Sequence, residues 1–148
     1  MIKKKIVSDN LFESGPIVRV KIKSTFKNQK IDTVNNIPER FIMLDAFVDT
    51  GASTSVIDIS IMNENIVVEE TDFVANMNFI NANKRQLPVY KVGIDLLNSD
   101  LCRDTLIAVM DMSVYSSNIK MLIGRDILRK CIFIYNGIDN TFTLEQKL

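Results

Sequence analysis

Along much of this chain apolar and polar residues alternate with a period of two, the spacing of strands. From Ile17 to Lys23, Val18, Val20 and Ile22 fall on one side, and Arg19, Lys21 and Lys23 on the other. That predicts a strand with one face in the core and one in water. Phe41 to Val48 is apolar except at Asp45 and predicts a central, mostly buried strand. Ser55 to Met62 carries Val56, Ile57, Ile59 and Ile61 and fits either a strand or a short helix. Phe73 to Leu97 divides into two strand-like arms about the polar segment Asn81-Ala82-Asn83-Lys84-Arg85, which predicts a long hairpin. Thr105 to Met110 is a further short strand, followed by a polar loop from Ser113 to Asn118. Met121 to Ile123 predicts a buried strand that breaks at Gly124 into a short helix. Asp126 near the start of that helix, and Arg129 and Lys130 at its end, suit the helix dipole. Cys131 to Tyr135 and Thr141 to Leu144, joined through Asn136-Gly137, predict a closing hairpin. Residues 24–40, polar with Asn35-Asn36 and Pro38, read as a long connection with a hairpin near its middle. The sum is one mostly antiparallel, all-β domain with one short C-terminal helix and no linker or repeat.

Composition narrows the chemistry. At 148 residues the chain is one domain, large enough for a real core. Its hydrophobic fraction of 47% and charged fraction of 24% are those of an ordinary soluble protein. Eighteen basic and eighteen acidic residues cancel, so bulk charge selects neither nucleic acid nor an anionic membrane as partner. There is no histidine, which excludes Ser-His-Asp and Cys-His catalysis and histidine-ligated metal. Two cysteines, Cys102 and Cys131, are too few for a structural zinc and read as incidental reduced thiols. No metal or organic cofactor is expected. Acid–base work near neutral pH then falls to carboxylate, lysine, tyrosine or thiol. The start of the chain, with Lys3, Lys4 and Lys5, lacks the apolar core of a signal peptide, and the longest apolar run is far short of a membrane span. A soluble, cytoplasmic protein is the expectation.

One stretch concentrates the chemical interest: Phe47-Val48-Asp49-Thr50-Gly51-Ala52-Ser53-Thr54-Ser55-Val56-Ile57. An apolar strand delivers a single carboxylate, Asp49, into a tight Thr-Gly turn, and a second apolar run follows. Folded proteins seldom place an acid in apolar surroundings without a partner or a purpose. Other acids read as less interesting: Asp45 as a solvent-facing strand residue, Asp58 and Asp104 as surface or turn residues.

This stretch resembles the active-site loop of the retropepsin-like, single-domain aspartic proteases. A second motif supports the resemblance: Leu122-Ile123-Gly124-Arg125-Asp126-Ile127-Leu128 is similar to the family's apolar-apolar-Gly-Arg-Asp/Asn-x-Leu segment. Between the two, Phe73 to Leu97 lies where the family has its flap. The resemblance covers roughly residues 15 to 145, with residues 15–148 read as the protease domain and residues 1–14 as an N-terminal extension. It implies an acid-protease barrel with its active site at a twofold interface.

What the resemblance implies for function is specific. Aspartic proteolysis needs two carboxylates around one water, and this chain has a single Asp-Thr-Gly. A homodimer with both Asp49 residues at the axis, acting on polypeptide substrates, is therefore expected. Thr50 matches the position that hydrogen-bonds across the dyad, and Gly51 the position whose carbonyl faces substrate. Ala52 and Ser53, with Ile80, Asn81, Ala82 and Asn83 at the flap tip, complete the expected substrate contacts. Ala52 replaces a hydroxyl donor common in pepsin-type enzymes, which favours activity at mildly rather than strongly acidic pH. Gly124, Arg125 and Asp126 are expected to support the loop, with Asp126 a candidate for an ion pair with Arg125 or a lysine. The flap segment from Asn76 to Arg85 lacks glycine, although Asn81 and Asn83 tolerate positive φ. That departure motivates the alternative of a non-catalytic dimerisation or peptide-binding module on the same fold.

Overall fold

The computed structural model describes residues 2–8, 10–78, 84–113 and 118–146. Ten strands dominate it: β1 (Ile2–Val7), β2 (Ile17–Lys23), β3 (Phe41–Val48), β4 (Val56–Asp58), β5 (Glu69–Asn78), β6 (Lys84–Asp95), β7 (Arg103–Met110), β8 (Ile119–Ile123), β9 (Cys131–Asn136) and β10 (Thr141–Gln146). Three short helices join them: α1 (Leu11–Ser14), α2 (Phe26–Val34) and α3 (Arg125–Leu128).

Seven strands form one sheet in the order β2-β3-β8-β4-β7-β6-β5, and β2 also pairs with β6, which closes the sheet into a barrel. Most pairs are antiparallel, as the alternation predicts. The exceptions position the site: β3 runs parallel to β8, and β4 parallel to β7. The remaining strands form a small sheet, β1-β10-β9.

The period-two pattern of β2 translates directly into packing. Val18, Val20 and Ile22 are buried with Leu44, Ala46 and Val48 of β3 and with Met121 and Ile123 of β8. Phe142 and Leu144 of the small sheet enter the same core. At the end of β7 both faces are covered: Ile107 and Val109 join this core, while Ala108 and Met110 pack with Val56, Leu87 and Met112 on the other side. Burial on this scale, at about 25 cal/mol per Å² of apolar surface, is the main force holding the barrel closed.

The helical content exceeds the single short helix expected. The connection over residues 24–40 contains α2 rather than a hairpin. Its first N–H, on Phe26, donates to the Asp104 carboxylate at 2.8 Å, so an acid from β7 caps a helix whose own N-cap, Thr25, makes no side-chain bond. Ser55 to Met62 contains both alternatives, the strand β4 followed by a 3-10 turn at Ile59–Asn63. Residues 1–14, expected as an extension, include a strand laid fully into the domain. Ile2 to Val7 pairs antiparallel with β10 from Gln146 to Thr141, and Leu11 of α1 is buried in the core.

Asp58, expected as a surface or turn residue, does open a turn, capping the 3-10 segment Ile59–Asn63, but is not at the surface. It is buried and accepts hydrogen bonds from Met112 N–H at 2.8 Å, from Ser60 N–H at 3.1 Å and from the Ser60 hydroxyl. Lys120 Nζ lies 3.6 Å away. Burial opposes its charge, but these hydrogen bonds and the lysine prevail and hold its carboxyl below the ordinary value. No helix among the described residues is long and apolar enough to cross a membrane.

Candidate active site

The parallel pairing of β3 and β8 brings the two sequence motifs together. Val48 pairs with Ile123, so the chain leaves both strands at the same end of the barrel. Asp49 follows one strand and Gly124 the other. Asp49 N–H donates to the Ile123 carbonyl at 2.9 Å, extending the ladder by one residue and fixing where the carboxylate begins. The chain then turns: Ala52 N–H returns to the Asp49 carbonyl at 3.2 Å. Gly51 N–H donates to Asp49 Oδ1 at 2.9 Å. A Cβ at Gly51 would stand 3.1 Å from that same oxygen, so the glycine keeps the carboxylate uncrowded. Asp49 and Ala52 are half-buried, whereas Thr50, Gly51 and Ser53 are exposed. None of the ion pairs among the described residues involves Asp49.

The second motif clamps this turn. Arg125 N–H donates to the Ala52 carbonyl, and its guanidinium Nη1 to the Thr50 carbonyl, both at 2.8 Å. Gly124 lies against the loop so closely that a Cβ there would come within 2.9 to 3.0 Å of Thr54 and Ala52 backbone atoms. Side chains larger than hydrogen are excluded by that approach.

Among the described residues Asp126 makes no ion pair, and its contacts are of a different kind. Its carboxylate accepts the Ser55 N–H at 2.9 Å, the Ser55 hydroxyl at 2.6 Å and the Ile127 N–H at 2.9 Å. The Ser55 oxygen in turn accepts Gly124 N–H at 2.8 Å. A carboxylate in the first turn of a helix is suited to those donors, since unsatisfied N–H groups and the dipole gather there. Ser55 is fully buried and joins the loop to α3, a role the sequence analysis missed. Its only local signal is a polar residue opening the apolar run Val56-Ile57.

The two arms read from Phe73 to Leu97 pair antiparallel, β5 with β6 from Glu69↔Lys91 to Asn78↔Lys84. Ile80, Asn81, Ala82 and Asn83 lie outside the described residues. Among the described residues no cluster of acids and thiols is arranged to hold a metal ion.

Residues 12–133 match the family described as retroviral aspartyl protease, a span that includes both the Asp49 turn and the Gly124-Arg125-Asp126 clamp. The chain belongs to the retroviral aspartyl protease family. As a member it is an aspartic-type endopeptidase, and the all-β, retropepsin-like fold expected of it is the one observed. Among solved structures, the EIAV protease complexed with the inhibitor HBY-793 is similar at 16% sequence identity, over 84% of this chain and 92% of that chain, with a TM-score of 0.47. No curated protein matches the chain.

Proposed function

We propose that this aspartic protease works as a twofold homodimer in which the two Asp49 carboxylates activate one water. Two carboxylates held close cannot both ionise, so they share a proton. The ionised one takes a proton from the water while the protonated one polarises the scissile carbonyl. The observation that carries this reading is the clamped turn: Asp49 stands on a loop whose carbonyls at Thr50 and Ala52 are held by Arg125, and its carboxylate joins no ion pair among the described residues. A single such turn per chain supplies half of the pair.

The substrate is an extended polypeptide, bound as an added strand beneath the β5–β6 hairpin and held by main-chain hydrogen bonds. Gly51, Ala52 and Ser53 are its contacts on the Asp49 loop, and the resemblance implies Ile80, Asn81, Ala82 and Asn83 as further contacts. Without a hydroxyl at Ala52, activity is greatest at mildly acidic pH.

The edge of β9 is the dimer contact in this proposal. Among the described residues the small sheet has an unpaired edge at β1 and another at β9, and they differ in sequence. β1 carries Lys3, Lys4 and Lys5, the kind of charge that guards an edge against pairing. β9 is uncharged, and Ile132, Ile134 and Tyr135 on it are each 50% exposed. It also follows α3 directly, so an interface there adjoins the Arg125 clamp.

Cleavage of a peptide library by the wild type and by Asp49→Asn tests the catalytic role. The wild type cleaves and is blocked by a statine-type inhibitor, while the variant loses at least about a thousandfold in rate. Equal behaviour of the two proteins, including no cleavage by either, returns the non-catalytic peptide-binding module.

A further inference from the structure

Helix α2 is built inside out. At about 100° per residue, Phe26, Lys27, Lys30, Ile31 and Val34 share one side of it. Asn28, Gln29 and Asp32 share the other. On a surface helix the apolar side ordinarily faces the core. Here the polar side faces inward: Gln29 Nε2 donates to the Ser24 carbonyl at 2.7 Å, Asn28 Nδ2 to Thr25 Oγ1 at 2.6 Å, and Asp32 pairs with Arg40 at 3.1 Å. The apolar side stands in water, with Val34 81%, Phe26 57% and Ile31 46% exposed. Ile37 and Phe41, which follow in the chain, are exposed as well.

The available charge on this surface has one sign. Lys27 and Lys30 are exposed, and Lys30 Nζ lies 4.7 Å from the Phe26 ring centre, its stem along the apolar ridge. Lys21 Nζ lies 4.3 Å from the Phe41 ring centre, but it is half-buried and 4.0 Å from Glu39, so it adds no unpaired charge. The neighbouring carboxylates have partners: Asp32 pairs with Arg40, Glu39 with Lys23 and Lys21, and Glu69 with Lys91, while Asp104 accepts the Phe26 N–H. An apolar ridge with lysines beside it complements a surface that is anionic at its rim and apolar beneath. Neutrality of the whole chain conceals this local asymmetry.

We propose that α2 docks the protein on an anionic membrane surface. Phe26, Ile31 and Val34 enter the headgroup boundary, and Lys27 and Lys30 meet lipid phosphates. The face is separate from the proteolytic site, because β3 runs from Phe41 at one end to the Asp49 turn beyond the other, roughly 25 Å along an extended strand.

Cosedimentation of the full chain with vesicles tests it. Vesicles of equal parts phosphatidylserine and phosphatidylcholine carry the wild type down at low salt, phosphatidylcholine alone does not, and high salt releases it. At about fivefold per lysine, Lys27→Gln with Lys30→Gln weakens binding roughly thirtyfold. Val34→Asp weakens it too, and each variant keeps the wild-type unfolding midpoint. Failure of the wild type to sediment with the mixed vesicles overturns the proposal, as does wild-type binding by the double lysine variant. A lipid-free mass that falls in Val34→Asp also overturns it, by assigning the ridge to a second copy of the chain.

Discussion

Asp49 draws its definition from its neighbours more than from its own environment. Its strand, its turn and the clamp from α3 were legible because each leaves a local mark: an apolar run, a Thr-Gly pair, a glycine before an arginine. Ser55 was not legible, because a lone serine carries no pattern and its partner Asp126 lies 71 residues on. That contact is also the most consequential one for the loop. Replacing Ser55 with alanine leaves the Gly124 N–H without its acceptor in a buried place and takes a donor from Asp126. A cost of about 1–3 kcal/mol follows, measured as a lower denaturation midpoint, with a larger fall in peptidase activity than destabilisation alone explains. Asp58 gives a second prediction at this scale. Its folded carboxyl lies below the unfolded value, so the stability it contributes is present above that unfolded value, near 3.8, and is lost as pH falls through the folded one. Wild-type stability therefore declines below about pH 4, and Asp58→Asn, less stable at neutral pH, declines less over the same range.

Among the elements, period-two strands were the readable part and α2 was the unreadable one. Alternation reports which face of a strand is buried, and β2 buries the residues it names; β3, expected to be mostly buried, buries only Leu44, Ala46 and Val48 and leaves Phe41 exposed. A helix is recognised by the same logic at a longer period, on the assumption that apolar residues point inward. α2 reverses the assumption, so its residues looked like a polar connection. β9 shows a related blind spot: its exposed Ile132 and Ile134 alternate like any half-buried strand, and only the sheet order shows that they stand on an edge strand. Ile134→Asp at that edge is predicted to shift the protein from dimer toward monomer in sedimentation velocity, and to reduce activity most at low protein concentration. A variant as dimeric as the wild type would place the interface elsewhere.

For the molecule as a whole, order along the chain foretold the barrel but not the small sheet beside it. The pairing of β1 with β10 joins the two ends of the chain, and no local sequence signal encodes a contact of that span. The same long-range pairing turns an apparent N-terminal extension into part of the small sheet. It leaves the lysine-bearing edge on one side and the apolar edge on the other. Half an active site on each chain is the central claim, and titration of purified protein with a tight statine-type inhibitor tests it most directly. The account predicts one inhibitor bound for every two chains and none by Asp49→Asn; one inhibitor per chain would contradict it.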